Sequence, residues 1–513
     1  MLVTTRGASL YGMDAIGIQV EVNVSMGQGY CIVGLPDTAV KESLHRTEIA
    51  IKANGFQMPR TKLVINLAPA DIKKTGPAFD LPIAIGILAA SDQIVNSNVL
   101  SDYLMMGELS LNGALQPIKG VLAMAIYAKE AGLAGLIIPS INASEASLIE
   151  GLKVFAFDHL NQVTHFCNHP ESCIPFKQID TYNETSISYP VDFAFIKGQF
   201  QAKRAIEIAA AGGHNLIMVG PPGAGKTLLA KTSISILPAM SHAETLETSK
   251  VYSLVGKLIP NAGLMQTRPF RNPHHSLSAI ALVGGGSIPQ PGEISMAHNG
   301  VLFLDELPEF SRAAIEILRQ PMEAGIVSIS RSRQTVKFPS RFMLFASMNP
   351  CPCGYFNHPQ KACSCSPSQV GKYLHKISGP LLDRIDLQIE VVPVTYEELT
   401  NNSIIENSST IRNRVQNARA IQITRYAKRP GINTNAQMET NELKEWAQLD
   451  EASVKLLKLA MEQFHLSARA YDRIIKVART IADLDGSKDI KNQHISESIQ
   501  YRILDRAGWG KAY

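Results

Sequence analysis

The chain has 513 residues, 45% of them apolar and 18% charged, and a formal net charge of +4; this is the profile of a soluble globular protein of roughly two to four domains. No apolar run approaches the ~20 residues of a membrane-spanning helix, the N-terminal MLVTTRGASLYG lacks a charged-then-apolar leader pattern, and seven cysteines in so long a chain exclude a disulfide framework. The expected location is therefore the cytoplasm, with no membrane partner, and the mild positive charge leaves any case for nucleic acid to local patches.

Residues 1–157 read as a first α+β domain. Ile16 to Val22 alternate as a strand, Val121 to Gly132 has helical spacing and stops on glycine, and Leu136 to Ile138 is a short apolar strand. Residues 158–190 lose periodicity and are rich in Asn, His, Ser and Pro, so a linker is expected. Residues 191–395 alternate helices with short, wholly apolar strands such as Leu216 to Val219 and Val301 to Leu304, the mark of a parallel sheet buried on both faces. Residues 396–513 are helical: Leu456, Leu457, Leu459, Ala460 and Phe464, then Ile474, Ile475, Ala478 and Ile481, fall near helical spacing. The fold class is multidomain α/β.

The third segment carries the chemistry. Gly220, Pro221, Pro222, Gly223, Ala224, Gly225, Lys226 and Thr227 fill the pattern G-x-x-x-x-G-K-[ST], and they lie between an apolar strand and a helical pattern, the context that the motif requires. Such a loop lets backbone N–H groups surround phosphate oxygens, with Lys226 reaching the β- and γ-phosphates and Thr227 ligating Mg²⁺. The strand Val301 to Leu304 ends in Asp305 and Glu306. Asp305 is placed to hold Mg²⁺ and Glu306 to act as general base on the attacking water. The strand Phe342 to Met348 ends in Asn349, which fits a residue orienting that water; an Asn at a strand end is also an ordinary turn residue. ATP and Mg²⁺ are the implied cofactors.

Cys351, Cys353, Cys363 and Cys365 form two CxC pairs separated by nine residues. Four thiolates so spaced in a reducing compartment can close a tetrahedral zinc site, with His358 as a spare ligand; free thiols beside the active-site loop are the alternative. Upstream, Val327 and Ile329 alternate on one strand and Val336 and Phe338 on another, which predicts a hairpin with Arg331 and Arg333 at its tip and Lys337 beside them. Basic side chains on such a tip suit phosphate contacts. Between Gly263 and Gly292, the residues Arg268, Arg271, His274, His275 and the run Gly284 to Gly286 read as a second, mobile loop at a pore or interface, with Arg271, His274 and His275 as candidate DNA contacts; the histidine pair has no acidic or cysteine companion close in sequence, so hydrogen bonding is expected of it rather than a metal.

The order of P-loop, Asp-Glu pair, Asn349 and a later arginine-bearing lid resembles AAA+ ATPases. The segments RPFRNPHHSLSAIALVGGG, PGEISMAHNGVLFLDELPEF, MNPCPCG and SGPLLDRIDLQIEV resemble those of the magnesium-chelatase-like ComM/YifB family, and the likeness runs from YGMDAIGIQVEV to ARAYDRIIKVARTIADL. That resemblance implies an arginine finger at Arg384, supplied to a neighbouring subunit, a sensor-2 arginine at Arg469 with Arg473 as the alternative, and a homo-oligomer, a hexamer. It also places the predicted hairpin with those that point into a ring pore. The first domain resembles Lon protease at Thr75 to Ala78 and Gly107 to Ile118, but alanine (Ala78) stands at the serine position and leucine (Leu122) at the lysine position, with Lys119 three residues early. Neither alanine nor leucine can attack a carbonyl or move a proton, so a Lon-like scaffold without peptidase activity is expected; its basic residues, Arg46 and Lys74 among them, are a further candidate DNA surface. The implied function is a DNA-dependent ATPase or helicase acting on single-stranded or branched DNA, promoting branch migration in natural transformation. A magnesium-chelatase subunit and an ATP-dependent protein unfoldase are the alternatives.

Overall fold

The computed structural model describes residues 1–177, 189–259, 263–286, 288–331, 334–356, 358, 361–400, 406–429, 431–502 and 504. The early alternation becomes a long antiparallel pair, Leu2–Tyr11 with Asp14–Ser25, paired from Leu2 opposite Asn23 to Tyr11 opposite Asp14. These strands sit inside a seven-stranded mixed sheet, whose order is Tyr30–Val33, Lys62–Ala68, Asp14–Ser25, Leu2–Tyr11, Tyr103–Met105, Gly135–Pro139 and Val154–Phe157. Apart from Asp80 at its start, the helix Asp80–Ala90 is apolar all round, and it is buried at every residue, as a helix covering a sheet inside a core must be. It approaches so closely that a Cβ on Gly86 would stand 2.6 Å from Val22 Cγ2.

The segment expected to be a linker from residue 158 is a correction in its first part. Leu160–Asn168 is a helix that buries Leu160, Val163, Phe166 and Cys167 in the first core, with Phe166 against the rings of Tyr103 and Phe155. The apolar positions recur at helical spacing, but the Asn, His and Ser between and after them mask the pattern. Residues 178–188 of that segment lie outside the described residues.

The second body is a five-stranded parallel sheet in the order Phe270–Arg271, Val301–Leu304, Met343–Met348, Leu216–Val219, Leu387–Glu390. All four residues of Leu216–Val219 and of Val301–Leu304 are buried; each such side chain contributes about 1.5–3 kcal/mol of burial. Ile326–Arg331 and Gln334–Pro339 form the predicted hairpin, with Val327, Ile329, Val336 and Phe338 buried on one face. Four longer helices, Ser408–Tyr426, Glu451–Phe464, Ala468–Leu484 and Asn492–Gln500, make up most of the C-terminal region. Val415 and Ala418 of the first and Val477 and Ile481 of the third join the core of the sheet domain.

The first domain is seated on the parallel-sheet domain. The turn between its long strands reaches the hairpin, where a Cβ on Gly12 would lie 3.0 Å from Val336 Cγ1, and it also reaches the helix His242–Leu254, through an ion pair from Lys250 to Asp14 at 2.7 Å. Ser253 of that helix accepts the Gly120 N–H at its carbonyl, 3.0 Å, and donates its hydroxyl to Glu145.

Candidate nucleotide site and its partner face

The loop Gly220 to Gly225 links the buried strand Leu216–Val219 to the helix Lys226–Thr232. Gly223 and Gly225 have φ of +79° and +88°, a left-handed backbone that glycine adopts without strain. Gly220 is needed for another reason: a Cβ there would stand 2.1 Å from the Val391 carbonyl oxygen. Pro221, Pro222 and Ala224 complete the loop. Lys226 Nζ donates to the carbonyls of Gly220 (2.6 Å) and Pro221 (2.9 Å) and to Asn349 Oδ1 (3.2 Å). Burial lowers its pKa, and the charges of Asp305 and Glu306 oppose that shift. The ammonium group and the Asn349 amide therefore meet at one point, from residues 123 positions apart.

Thr227 Oγ1 donates to Asp305 Oδ2 at 2.7 Å. A hydroxyl and a carboxylate in contact beside the loop are the donor set that a hexacoordinate Mg²⁺ takes along with phosphate oxygens and water, so these two residues fit that ion. Ser347 Oγ donates to Asp305 and accepts the Glu306 N–H at 3.2 Å. The sequence reading missed Ser347; its signal is a polar residue on an otherwise apolar buried strand. Glu306 has φ +53° and ψ 50°, an uncommon conformation for a residue with a side chain. Its carboxylate is 53% exposed and faces His275, with Nδ1 to Oε2 at 3.7 Å. Burial raises the pKa of the Tyr373 hydroxyl to about 12.

Arg384 is elsewhere. It lines a cleft of 630 Å³ with Asn215, Gly300 and Met343. Those residues stand at the starts of three parallel strands, whereas the P-loop follows the end of one. Arg384 is thus at the opposite end of the sheet from its own Lys226. Its guanidinium is paired with Glu323 and donates to the Pro380 carbonyl at 2.5 Å. Arg469 is 62% exposed and 3.5 Å from Asp383, the residue before Arg384, and Arg473 Nη1 donates to the buried Asp386 at 2.9 Å. Neither lid arginine hydrogen-bonds the P-loop among the described residues.

The sulfur atoms of Cys351, Cys353, Cys363 and Cys365 all lie within 4.8 Å of one another, and three of the separations are 3.3, 3.6 and 3.7 Å. A tetrahedron of Zn–S bonds of ~2.3 Å places its sulfurs ~3.8 Å apart, so the cluster fits zinc. His358 instead accepts the Lys361 N–H. The knot abuts the nucleotide loop, because a Cβ on Gly354 would stand 2.5 Å from Pro222 Cδ.

Models of magnesium chelatase subunit ChlI match residues 20–142 and 192–399, and the model of its C-terminal part matches residues 405–502. YifB of Escherichia coli is 43% identical over 514 residues, covering 98% of this chain and 97% of that protein. The chain belongs to the ComM/YifB family of magnesium-chelatase-like AAA+ ATPases. The competence protein ComM of Haemophilus influenzae is likewise 43% identical, over 510 residues, with 97% and 98% of the two chains covered. Lon protease 2 of Bacillus subtilis is 26% identical over 192 residues, a third of this chain.

In this ComM/YifB chain the Lon-like domain has Ala78 in a short turn, Pro77–Phe79, and Leu122 buried in the first turn of a helix. Lys119 packs against Gly256 of the ATPase core. Of the basic residues offered for DNA in that domain, Arg46 is bound bidentately by Asp80 and Lys74 is buried. Arg271 is similarly taken: Glu293 accepts from it at 2.6 and 2.8 Å, which neutralises the charge that a phosphate would need. The rings of His274 and His275 lie 4.1 Å apart, tilted by 34°, and His275 Nδ1 is 3.7 Å from Glu306 Oε2. Lys337 is exposed on its strand. The Arg331 side chain and all of Arg333 lie outside the described residues. Among those residues no helix is long and apolar enough to cross a membrane.

Proposed function

We propose that this chain is the protomer of a hexameric ATPase that moves on single-stranded or branched DNA and drives branch migration during homologous recombination, in the setting that the name of the Haemophilus competence protein indicates. The observation carrying the ring is the position of Arg384 at the far end of the sheet from Lys226. This supports a site that takes its arginine from a neighbour across a head-to-tail interface, which a ring of subunits repeats and closes.

In the working site Lys226 leaves the loop carbonyls for the β- and γ-phosphates. Thr227 and Asp305 would hold Mg²⁺, which would neutralise phosphate charge. Asn349 orients the attacking water and Glu306 accepts its proton, while the neighbour's arginine meets charge developing on the γ-phosphate. Arg469, on the same face as Arg384, serves that same neighbouring site. Cys351, Cys353, Cys363 and Cys365 would hold zinc and so brace the loop that covers Pro222. The hairpin, with Arg331, Arg333 and Lys337, grips the DNA backbone.

Support for DNA as the substrate comes from that basic hairpin and from the absence of both Lon dyad residues, which removes proteolysis. A chelatase-type reading is favoured by the ChlI models alone. The test is ATP turnover of the purified protein with single-stranded DNA, branched DNA, an unfolded protein or a porphyrin. Stimulation by DNA only is expected. Flat turnover and no DNA binding at low salt rule the reading out.

A further inference from the structure

The seven-stranded sheet of the first domain ends differently at its two sides. At one side the strand Val154–Phe157 is covered, since the Phe176 N–H donates to the Val154 carbonyl at 2.7 Å. At the other side Tyr30–Val33 pairs with Lys62–Ala68, and among the described residues no strand pairs with its outer edge. Soluble proteins guard such an edge, commonly with charge on the strand itself. Here the strand is Tyr-Cys-Ile-Val and carries none. Tyr30, Cys31 and Val33 are exposed, and the flanking Met26 and Leu35 are 98% and 47% exposed. Leu35 has φ +56°, a left-handed backbone that a side chain makes costly. It is pinned there, because its carbonyl accepts the Lys74 N–H at 3.2 Å and a Cβ on the preceding Gly34 would stand 2.2 Å from the Leu67 carbonyl oxygen. The fold therefore holds an apolar side chain half in solvent at the end of an open strand.

Cations stand at both ends of this strip. Leu63 lies opposite Tyr30, so Arg60 and Lys62 fall at the Tyr30 end, where a Cβ on Gly27 would be 3.3 Å from Lys62 Cβ. At the Leu35 end, backbone hydrogen bonds tie Leu35 and Asp37 to Lys74, which brings Lys73 there, and Lys41 lies in the first turn of the helix Thr38–Ala53. All four are exposed, and among the described residues none has a carboxylate partner. Two neighbouring acids are committed elsewhere: Asp37 accepts the Val40 and Gly76 N–H groups at 2.8 and 3.1 Å, and Glu42 is 3.9 Å from Arg46. Asp71, exposed two positions before Lys73, leaves the strip with an excess of positive charge.

These facts select an occupant. The alternating N–H and C=O groups of an open edge are matched by another extended polypeptide, and an apolar strand between cations suits one that is both apolar and acidic. A second copy of the same strand is disfavoured, because self-pairing sets like charges against each other. We infer that the edge Tyr30–Val33 docks an extended acidic segment of a partner protein, added as a further strand of the sheet. Its apolar side chains lie against Tyr30, Val33 and Leu35, and its carboxylates meet the cations at the two ends. Main-chain pairing supplies affinity, and the alternation of side chains supplies selectivity. The strip is in the other domain from the nucleotide loop, so this docking stands or falls apart from the reading of the ATPase site.

The experiment selects a displayed library of random peptides on the full chain and measures the enriched sequences, made as fluorescent peptides, by anisotropy. The expected sequences alternate apolar residues with Asp or Glu, bind more weakly as salt rises, and slow the alkylation of Cys31 followed by mass spectrometry. Val33→Asp, and separately Lys62→Glu with Lys73→Glu, each raise Kd by about tenfold or more, while unstimulated ATP turnover and Tm stay those of the wild-type protein. No enrichment, enrichment of basic or non-alternating peptides, or binding that Val33→Asp leaves unchanged overturns the proposal. It is also overturned if the charge reversals weaken binding of a single-stranded oligonucleotide and of no peptide, which assigns the strip to nucleic acid, or if Val33→Asp dissociates copies of the chain in sedimentation, which assigns it to self-association.

Discussion

At the scale of single residues, Lys226 is the side chain whose partners are most informative. Its ammonium group already bridges both ends of the phosphate site, the loop carbonyls and Asn349. Lys226→Ala is expected to weaken binding of a fluorescent ATP analogue, measured by titration. Glu306→Gln removes a proton acceptor and leaves the Asp305 and Ser347 contacts to the backbone intact, so ATP should bind normally while turnover drops by about 10²–10⁴-fold. A Glu306→Gln protein with undiminished single-turnover hydrolysis would show that the base lies elsewhere. Asp386 is a stability residue. Burial alone pushes its carboxyl pKa up, but Arg473, His214 and the Asn215 N–H outweigh that and leave it below the usual carboxylate range. A depressed folded pKa stabilises at neutral pH, and that stabilisation is lost as pH falls below the unfolded value of about 3.9. Asp386→Asn should lower stability at pH 7 by about 2 kcal/mol and flatten the acid limb of a melting-temperature profile.

At the scale of elements, what could be read in advance was local. The P-loop between its strand and helix, the acidic pair at a strand end and the alternation of Val327, Ile329, Val336 and Phe338 are each a pattern within a few neighbouring residues, and each forms the expected element. The contacts that were not legible join distant positions: His275 with Glu306, Gly354 with Pro222, Arg384 with Glu323. Period and motif say nothing about which loops converge. The helix Leu160–Asn168 was missed for a different reason, since its polar residues outnumber the apolar face that drives it into the core. Two elements carry predictions. Elemental analysis should find one zinc per chain, and Cys363→Ser should lose it and weaken ATP binding, because the knot rests on Pro222. On the hairpin, Lys337→Ala should spare basal turnover and reduce the slope of log affinity for DNA against log salt by about one.

At the scale of the whole molecule, the first domain is a fixed part of the machine. The turn at Gly12 touches the hairpin and Asp14 holds the helix His242–Leu254, so the domain that has no protease dyad still bears on the element proposed to carry DNA. The separation of Lys226 from Arg384, at opposite ends of one sheet, has a genetic corollary. In the proposed ring a lesion at either residue damages a different junction: one silences the subunit that carries it, the other silences its neighbour. Two dead proteins, Lys226→Ala and Arg384→Ala, should therefore complement when co-assembled in equal amounts, because roughly a quarter of random junctions join an intact loop to an intact donor. Recovery of turnover on mixing, where each protein alone has none, is a signature that no self-sufficient monomer can mimic.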